Sequence, residues 1–275
     1  MKIFNSLYIL GTEYKGLRSI PDGAVSYVED FLRIMPETLA EISSKENVVY
    51  VLCKADPDEL VQLPSHIDRV VFDVHNNYDT PRTDLLNVPE EVKHLIVHTQ
   101  SMYERLKDQF HVAYIPMSID LNRVQITATK NGKWIYLGNL NLRRISVYDE
   151  VRKVIPVDTI SGGYFCDRAG LSLHESTEIA SHYTYGVGVG RALLEMLAMG
   201  LKCIVAGRKY GGPILSLEDF QKHYAENCNS SVSTSSGDIK KDVELLTVSE
   251  YKVDSKLFDM RNYIQLYTSA LFGTK

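Results

Sequence analysis

The chain of 275 residues has little cysteine and lacks any long apolar run. Its 4 cysteines lie far apart without a CxxC pair, which argues against a zinc cage or a disulfide framework and fits a reducing compartment. The apolar run in the first residues, MKIFNSLYILGTEYKG, is too short for a signal peptide. No stretch reaches the roughly 18–20 apolar residues that cross a bilayer. We therefore expect a soluble, cytoplasmic protein.

Positive charge is scarce in the first part of the chain. Residues 1–125 carry 12 Lys and Arg against 19 Asp and Glu, whereas the remaining residues carry 18 against 16. Such an acidic excess repels a polyanion unless local basic patches override the average. The composition therefore disfavours a nucleic-acid partner for residues 1–125.

Segments with strand character alternate with segments of helical spacing. Apolar runs typical of buried parallel strands are NVVYVLC, RVVFDV, HLIVHT and VAYIPM, and a second set comprises KWIYLG, PVDTIS and KCIVAG. This alternation in two blocks predicts an α/β protein of two doubly wound Rossmann-like domains that face a cleft. We expect a first domain over residues 1–125, a second over 126–250, and a C-terminal helix over 251–275 that packs back on the first domain.

Other segments give simpler expectations. KIFNSLYIL indicates one strand, SLEDFQKHYAE indicates a helix, and NSSVSTSSGD is expected to be a surface loop. Most of the histidines, His98 among them, show no metal-ligand spacing and are expected to be solvated or in the core. The final helix is expected to carry Leu257, Met260, Ile264, Tyr267 and Leu271 on one face.

Three alternating glycines, Gly186, Gly188 and Gly190, precede a helical pattern in TYGVGVGRALLEMLAMG. A dinucleotide fingerprint would need a third glycine where Arg191 stands and an acidic residue about twenty positions on, and both are missing. What remains is a glycine loop at a helix N-terminus, where N–H groups and the helix dipole favour an anion. Arg191 and Glu195 share one helix face, so the pattern fits a nucleoside diphosphate; a plain turn with a surface Arg–Glu pair is the alternative.

The segment GVGRALLEMLAMGLKCIVAG resembles the donor-site signature of family 4 glycosyltransferases of the GT-B fold, E-G-x-G-x-x-x-x-E-A-x-A-x-G-x-P-V. Further segments resemble that family in the same order. IPDGAVSYVEDFL is similar to its N-terminal glycine loop and helix, and VVFDVHNNYD to the strand that ends in an active-site histidine. LIVHTQSMYERLKDQFHVAYIPMSID and KWIYLGNLNLRR resemble the segments on either side of its domain junction. The resemblance covers roughly residues 1–215.

The resemblance implies roles for individual residues. Glu195 would hold the ribose hydroxyls of a nucleotide, and His75 would lie near the donor sugar. Arg144, or Arg143 if the loop shifts by one, would neutralise the diphosphate leaving group, and we expect Arg191 to converge on the same diphosphate. The catalytic residues would be His75 and Arg144. The donor-binding residues would be Gly23, Gly138, Arg143, Arg144, Tyr185, Gly188, Val189, Gly190, Arg191, Glu195 and Gly212.

Two positions depart from the family pattern. Val187 stands where the family has a glutamate that touches a donor-sugar hydroxyl, and Asn139 replaces the arginine of the family's GRL segment. The missing glutamate implies a different sugar, a substitute from elsewhere, or lost activity. The missing arginine leaves Arg144, Arg143 or Arg191 to balance a departing diphosphate.

The resemblance implies a glycosyltransferase that moves a hexosyl or pentosyl group from a nucleoside diphosphate sugar, with a UDP-sugar as the expected donor, to an acceptor hydroxyl. It implies retention of the anomeric configuration without a metal or a cofactor, since arginines supply the positive charge. The expected acceptor is a small molecule or a glycan. One alternative is a phage-type DNA glycosyltransferase acting on 5-hydroxymethylcytosine, for which Lys15, Arg18, Arg82, Arg152 and Lys153 could form a basic rim. A non-catalytic nucleotide-binding relic and a nucleotide-sugar epimerase are the others.

Overall fold

The structure is a computed structural model that describes residues 2–4, 7–10, 27, 30–35, 47–51, 63–74, 89–161 and 173–273. These residues fall into two compact units. The first unit contains the described residues up to Pro116 together with those from Met260 onward, and the second lies within Met117–Asp259. The sequence-based boundaries were placed after residues 125 and 250. In the structure the divisions fall after Pro116 and Asp259.

The first unit contains a sheet in which the described strands follow one another in chain order. β1 and β2 are antiparallel, with Phe4 opposite Leu7, and the other neighbouring strands are parallel. The prediction of one strand over KIFNSLYIL is therefore wrong, because β1 and β2 run in opposite directions. The strands are β1 (Lys2–Phe4), β2 (Leu7–Leu10), β3 (Val48–Val51), β4 (Arg69–Val74), β5 (Lys93–Val97) and β6 (His111–Tyr114).

The second unit contains a sheet in the order β11-β10-β9-β7-β8, parallel except for the β10–β11 pair. From β7 the chain runs outward to β8 and then returns to the other side of β7 to form β9. Such a reversal of strand order makes a topological switch point, where ligands of open α/β sheets bind beside the carboxyl ends of the strands. The strands are β7 (Trp134–Leu137), β8 (Val157–Ile160), β9 (Tyr185–Gly188), β10 (Lys202–Ala206) and β11 (Tyr210–Pro213).

The helices of the described residues complete both units. They are α1 (residues 30–35), α2 (Gln100–Leu106), α3 (Ile145–Val154), α4 (Leu173–Ser181), α5 (Gly190–Ala198), α6 (Leu217–Ala225), α7 (Ile239–Val248) and α8 (Ile264–Phe272). Short 3-10 helices cover Glu90–Val92, Leu121–Arg123, Ser255–Phe258 and Met260–Tyr263. None of the described helices is both long enough and apolar enough to cross a membrane.

Side-chain caps fix the start of two of the longer helices of the second unit, α6 and α7. The hydroxyl of Ser216 accepts a hydrogen bond from the backbone N–H of Asp219 at α6, and the Asp238 carboxylate accepts from the first turn of α7. α5 differs, because its N-cap residue is Val189, which has no side chain that can cap. The start of α5 therefore depends on backbone groups from elsewhere in the unit.

The C-terminal helix is shorter than the sequence pattern indicates. α8 begins only at Ile264, while Leu257 and Met260 lie in two separate 3-10 segments, so the expectation of one helix through all five apolar positions is wrong. α8 packs on β3 and β4 in the first unit, where the hydroxyls of Tyr267 and Tyr27 share a hydrogen bond.

The serine-rich segment NSSVSTSSGD is a loop, but an organised one. The buried Asp242 accepts hydrogen bonds from the Ser235 hydroxyl at 2.6 Å and from the Ser236 backbone N–H at 2.9 Å. The Thr234 backbone N–H donates to the Gly211 carbonyl at 2.7 Å. These contacts fasten the loop to β11 and to α7.

Candidate functional site

The loop after β7 lies against the first turn of α5. Gly138 follows the strand directly, with φ of +133°, and its N–H donates to the Ile160 carbonyl at 3.2 Å. A methyl group added at Gly138 would lie 3.6 Å from Cβ of Ala192. The two sides of the switch point, the β7 loop and the start of α5, are therefore in close contact.

Gly188 lets β9 approach β7 closely at this end of the sheet. A methyl group at Gly188 would lie 2.8 Å from the Leu137 carbonyl oxygen and 2.9 Å from Cε of Met196, both closer than side chains tolerate. Gly190 begins α5 with φ of +59°, a conformation that favours glycine. The glycines of the loop thus serve close packing and backbone geometry, and their role in letting the backbone approach a donor stays a prediction.

The N-terminus of α5 is held by a neighbouring turn. The Gly190 N–H donates to the Cys228 carbonyl at 3.0 Å, so this N–H does not point at an incoming ligand. The next N–H groups of a helix start have no acceptor within the helix, and the helix dipole gives them a partial positive charge. Anion binding at this site would therefore use the N–H groups that follow Gly190.

The turn that holds α5 is strained. Asn227, Cys228 and Ser230 have φ of 53°, 47° and 67°, and each non-glycine residue in this region costs about 1–3 kcal/mol. The same turn approaches a second glycine, because a methyl group at Gly207 would lie 2.7 Å from Oγ of Ser230. Sequence reasoning missed this turn, and only Asn227 belongs to a residue type enriched at positive φ.

Arg191 and Glu195 form a buried ion pair one turn apart on α5. Nε of Arg191 donates to Oε1 of Glu195 at 2.9 Å, and the two side chains are only 5% and 6% exposed. The pair predicted from helical spacing is therefore present, and it is not a surface pair. The guanidinium of Arg191 contacts the Glu195 carboxylate rather than pointing to solvent.

Arg144 lies at the other side of the switch point, immediately before α3. Its Nη1 donates to the Asn139 carbonyl at 3.0 Å. Burial raises the pKa of the Tyr136 hydroxyl, and the Arg144 guanidinium opposes that rise, so the two groups are close. Arg143 is exposed, and its backbone N–H donates to Oδ1 of Asn141. The loop after β7 therefore presents two cationic side chains.

Two expected donor-binding residues lie away from this arrangement. Tyr185 opens β9 at the amino edge of the sheet, stacked on Trp134 with ring centroids 4.6 Å apart. Gly212 has φ of +99° in β11, and a methyl group there would collide with the backbone nitrogen of Ser235. Tyr185 thus packs at the opposite end of its strand, and Gly212 makes room for the serine-rich loop.

The remaining predicted residues are accounted for as follows. Gly23 and His75 lie outside the described residues, so their roles stay predictions. Val189 is buried at the start of α5, next to Gly207. Val187 is completely buried in the core cluster of the second unit, which explains why an acid is missing there. Among the described residues, no three His, Cys, Asp or Glu side chains are grouped to hold a metal.

The chain resembles known proteins in its structure but not in its sequence. No family model matches the sequence, and no curated protein matches it. AviGT4, a glycosyltransferase involved in Avilamycin A biosynthesis, is similar over 98% of this chain and 98% of its own, with a TM-score of 0.53 and 10% identity. The fold class is therefore confirmed. The chain has an α/β fold with two largely parallel sheets that matches a GT-B glycosyltransferase, whereas family 4 and its motif stay predictions.

Two further solved structures match at lower TM-scores. Sucrose-phosphate synthase from Thermosynechococcus elongatus has a TM-score of 0.43 and 11% identity over 94% of this chain and 83% of its own. The GtfA/B complex has a TM-score of 0.44 and 13% identity over 90% of this chain and 58% of its own.

Proposed function

We propose that the chain is a glycosyltransferase that binds a nucleoside diphosphate sugar beside the carboxyl ends of β7 and β9. The observation that carries the proposal is the switch point itself, where the loop after β7, Gly188 and the start of α5 meet. The glycosyltransferase AviGT4 shares the fold. The sugar donor is a UDP-sugar, and the transferred group is a hexose or a pentose.

Each part of the site has a chemical task in this proposal. Glu195 accepts hydrogen bonds from the ribose hydroxyls, and the N–H groups after Gly190 face a phosphate. Arg144, with the exposed Arg143 beside it, stabilises the diphosphate as its negative charge grows. His75 and Gly23 contribute near the sugar and the phosphates, as the family resemblance implies.

The reaction follows from these tasks. The bond between the anomeric carbon and the diphosphate oxygen breaks, and its electron pair stays on the diphosphate. A new bond forms between the anomeric carbon and the acceptor oxygen, whose proton passes to the departing diphosphate oxygen, with retention of configuration. The guanidinium of Arg144 supplies charge where a metal ion would otherwise be needed, so the proposed transfer is independent of metal.

Calorimetric titration with UDP, GDP and ADP tests the donor site. Glu195→Ala should weaken nucleotide binding by about one to two orders of magnitude, because a charged hydrogen bond contributes roughly 1.5–3 kcal/mol. Arg144→Met should reduce turnover of nucleotide sugars more than it reduces nucleoside affinity. If the wild-type chain binds none of the three nucleotides, the proposal is wrong.

The buried Val187 favours a second candidate, a non-catalytic nucleotide-binding protein. Its side chain lies in the core, so the acid that the family directs at the donor sugar is missing from this strand. A panel of nucleotide sugars distinguishes the candidates. Binding without turnover indicates the non-catalytic protein, release of a free epimer indicates an epimerase, and transfer to an acceptor indicates the glycosyltransferase.

A further inference from the structure

The Nε–H group of Arg191 is already engaged by the carboxylate of Glu195, one turn further along the same helix. Their contact is a direct Nε–H to Oε1 hydrogen bond of 2.9 Å between side chains that are almost entirely buried. By contrast, Arg143 on the facing loop is exposed. We infer that Arg191 is a positioning residue, which orients the Glu195 carboxylate for the ribose hydroxyls, and this inference rests on the proposed function.

Burial gives the first reason for this role. A carboxylate removed from water needs a compensating cation and hydrogen bonds, or the charged form becomes costly. Arg191 supplies that charge from the same helix at a spacing of four residues, where side chains meet without backbone adjustment. The helical spacing therefore fixes both the charge and the direction of one carboxylate oxygen.

Preorganisation gives the second reason. A glutamate that binds a ligand loses the freedom of a long side chain, and this loss weakens binding. Here that freedom is already restricted before any ligand arrives, because Arg191 holds one oxygen. α5 itself is anchored by the Gly190 to Cys228 hydrogen bond and by the tight contact of Gly188 with Met196. The carboxylate is thus presented from a rigid element.

The role differs from that of a diphosphate ligand in a measurable way. If Arg191 positions Glu195, replacing Arg191 should weaken the binding of nucleotides that have ribose hydroxyls and should leave the affinity for their 2′,3′-dideoxy analogues unchanged. If Arg191 instead contacts the diphosphate, replacing it should weaken the binding of both kinds of nucleotide equally. The ratio of the two affinities therefore separates the roles, and a change in stability alone does not alter it.

The experiment measures Kd for UDP and for 2′,3′-dideoxy-UDP, or for the GDP or ADP pair if one of those binds best. The wild-type chain should prefer the ribonucleotide by about 10- to 100-fold. Arg191→Met should reduce this preference to within about threefold, and Arg191→Lys should retain part of it. Arg143→Met is the matched control, which should weaken both ligands alike. Thermal unfolding confirms that each variant is folded.

A double-variant cycle completes the test. If Arg191 acts through Glu195, then Arg191→Met should not change the ratio further in a Glu195→Gln background. Equal loss of both ligands in Arg191→Met with an unchanged ratio overturns the inference, because it assigns Arg191 to the diphosphate while nucleotide binding stands. A wild-type ratio near one overturns the ribose role of Glu195. Failure of the wild type to bind any of the nucleotides overturns the proposed function and the inference together.

Discussion

A buried ion pair in the first unit gives the sharpest test of the structure. Asp73, near the end of β4, and His98, just after β5, have side chains 0% and 1% exposed. Nε2 of His98 lies 2.7 Å from Oδ1 of Asp73, and Nδ1 lies 2.7 Å from the carbonyl oxygen of Ile115. A carbonyl oxygen can only accept a hydrogen bond, so Nδ1 of His98 carries a proton. Nε2 carries a second proton, which it donates to the Asp73 carboxylate, and the imidazole ring is therefore cationic. Oδ2 accepts from the hydroxyls of Tyr27 and Tyr50.

Replacing Asp73 by Asn keeps the shape of the side chain and removes its charge. Hydrogen bonds to a charged acceptor contribute about 1 kcal/mol more than neutral ones, and three of the bonds described above end on this carboxylate. We therefore expect a loss of about 3 kcal/mol, near the lower end of the cost of breaking a buried ion pair. For a chain of this size the thermal midpoint should fall by about 6–12 °C.

The loss should depend on pH. Burial alone would lower the pKa of His98, but the charge of Asp73 and the hydrogen bonds to Asp73 and Ile115 raise it above 6.5. A pKa that is higher in the folded chain stabilises the fold below the unfolded value, and this contribution disappears as pH rises through the folded value. In Asp73→Asn, burial opposes ring protonation, so that variant gains stability as pH rises. The difference between the two proteins should be larger at pH 6 than at pH 8.

Circular dichroism melts at pH 6 and pH 8 measure both effects. The chain offers a matched control in the exposed pair His66 and Asp68, whose Nε2 and Oδ1 atoms lie 2.9 Å apart with side chains 78% and 32% exposed. Asp68→Asn should lower the midpoint much less than Asp73→Asn, because solvent screens this pair and the Asn oxygen can still accept the hydrogen bond from the Asn47 backbone N–H. An Asp73→Asn variant that melts like the wild type at pH 6, or with an equal deficit at both pH values, would refute the reasoning.

Further predictions concern the second unit. Gly188→Ala should lower the thermal midpoint and nucleotide affinity more than Gly186→Ala, because the added methyl meets the Leu137 carbonyl, whereas at Gly186 it meets side chains; equal melts contradict this. Asp242→Ala should make the serine-rich loop cleave faster in limited proteolysis, since the loop loses its buried acceptor; an unchanged rate counts against that anchor. Val187→Glu should destabilise the fold by more than about 3 kcal/mol in urea unfolding, and a smaller loss would place this side chain outside the core.

Local rules predicted the start of α5 and the contact between Arg191 and Glu195. The alternating glycines, the helix start at Gly190 and the shared face of Arg191 and Glu195 depend on spacing within one short segment, and the structure has all three. Exposure could not be predicted in the same way. A pair at four-residue spacing has the same sequence pattern on a surface or in the interior, and only the packing of α5 decides which.

The polar cluster in the first unit was beyond such rules. Asp73, His98, Tyr27, Tyr50 and Tyr267 come from five separated segments, and only the parallel sheet and the packing of α8 bring them together. One signal was available, because Asp73 interrupts the apolar run RVVFDV. An ionisable residue within a buried strand needs partners, so its position indicates a buried polar network without naming its members.

Helix α7 was missed for a related reason. α7 begins at Ile239, directly after the serine-rich stretch. Its start depends on the Asp238 side chain, which caps the helix. The serine-rich stretch looked like a solvated loop because short polar side chains are usual in loops. Its order comes from Asp242, which lies on the next helix and is buried only once that helix packs.

The register of β9 explains the most important departure from the family pattern. Successive residues of a strand point to opposite faces, so Gly186 and Gly188 face α5 while Val187 faces the core beside Tyr136 and Ile204. A slip of the register by one residue would place a valine at the position that Gly188 occupies. A side chain at that position would collide with the neighbouring strand, so the register is fixed. A glutamate at position 187 would therefore enter the core and could not reach the carboxyl edge of the sheet. If a donor-sugar hydroxyl is bound by an acid in this protein, that acid comes from another element of the chain.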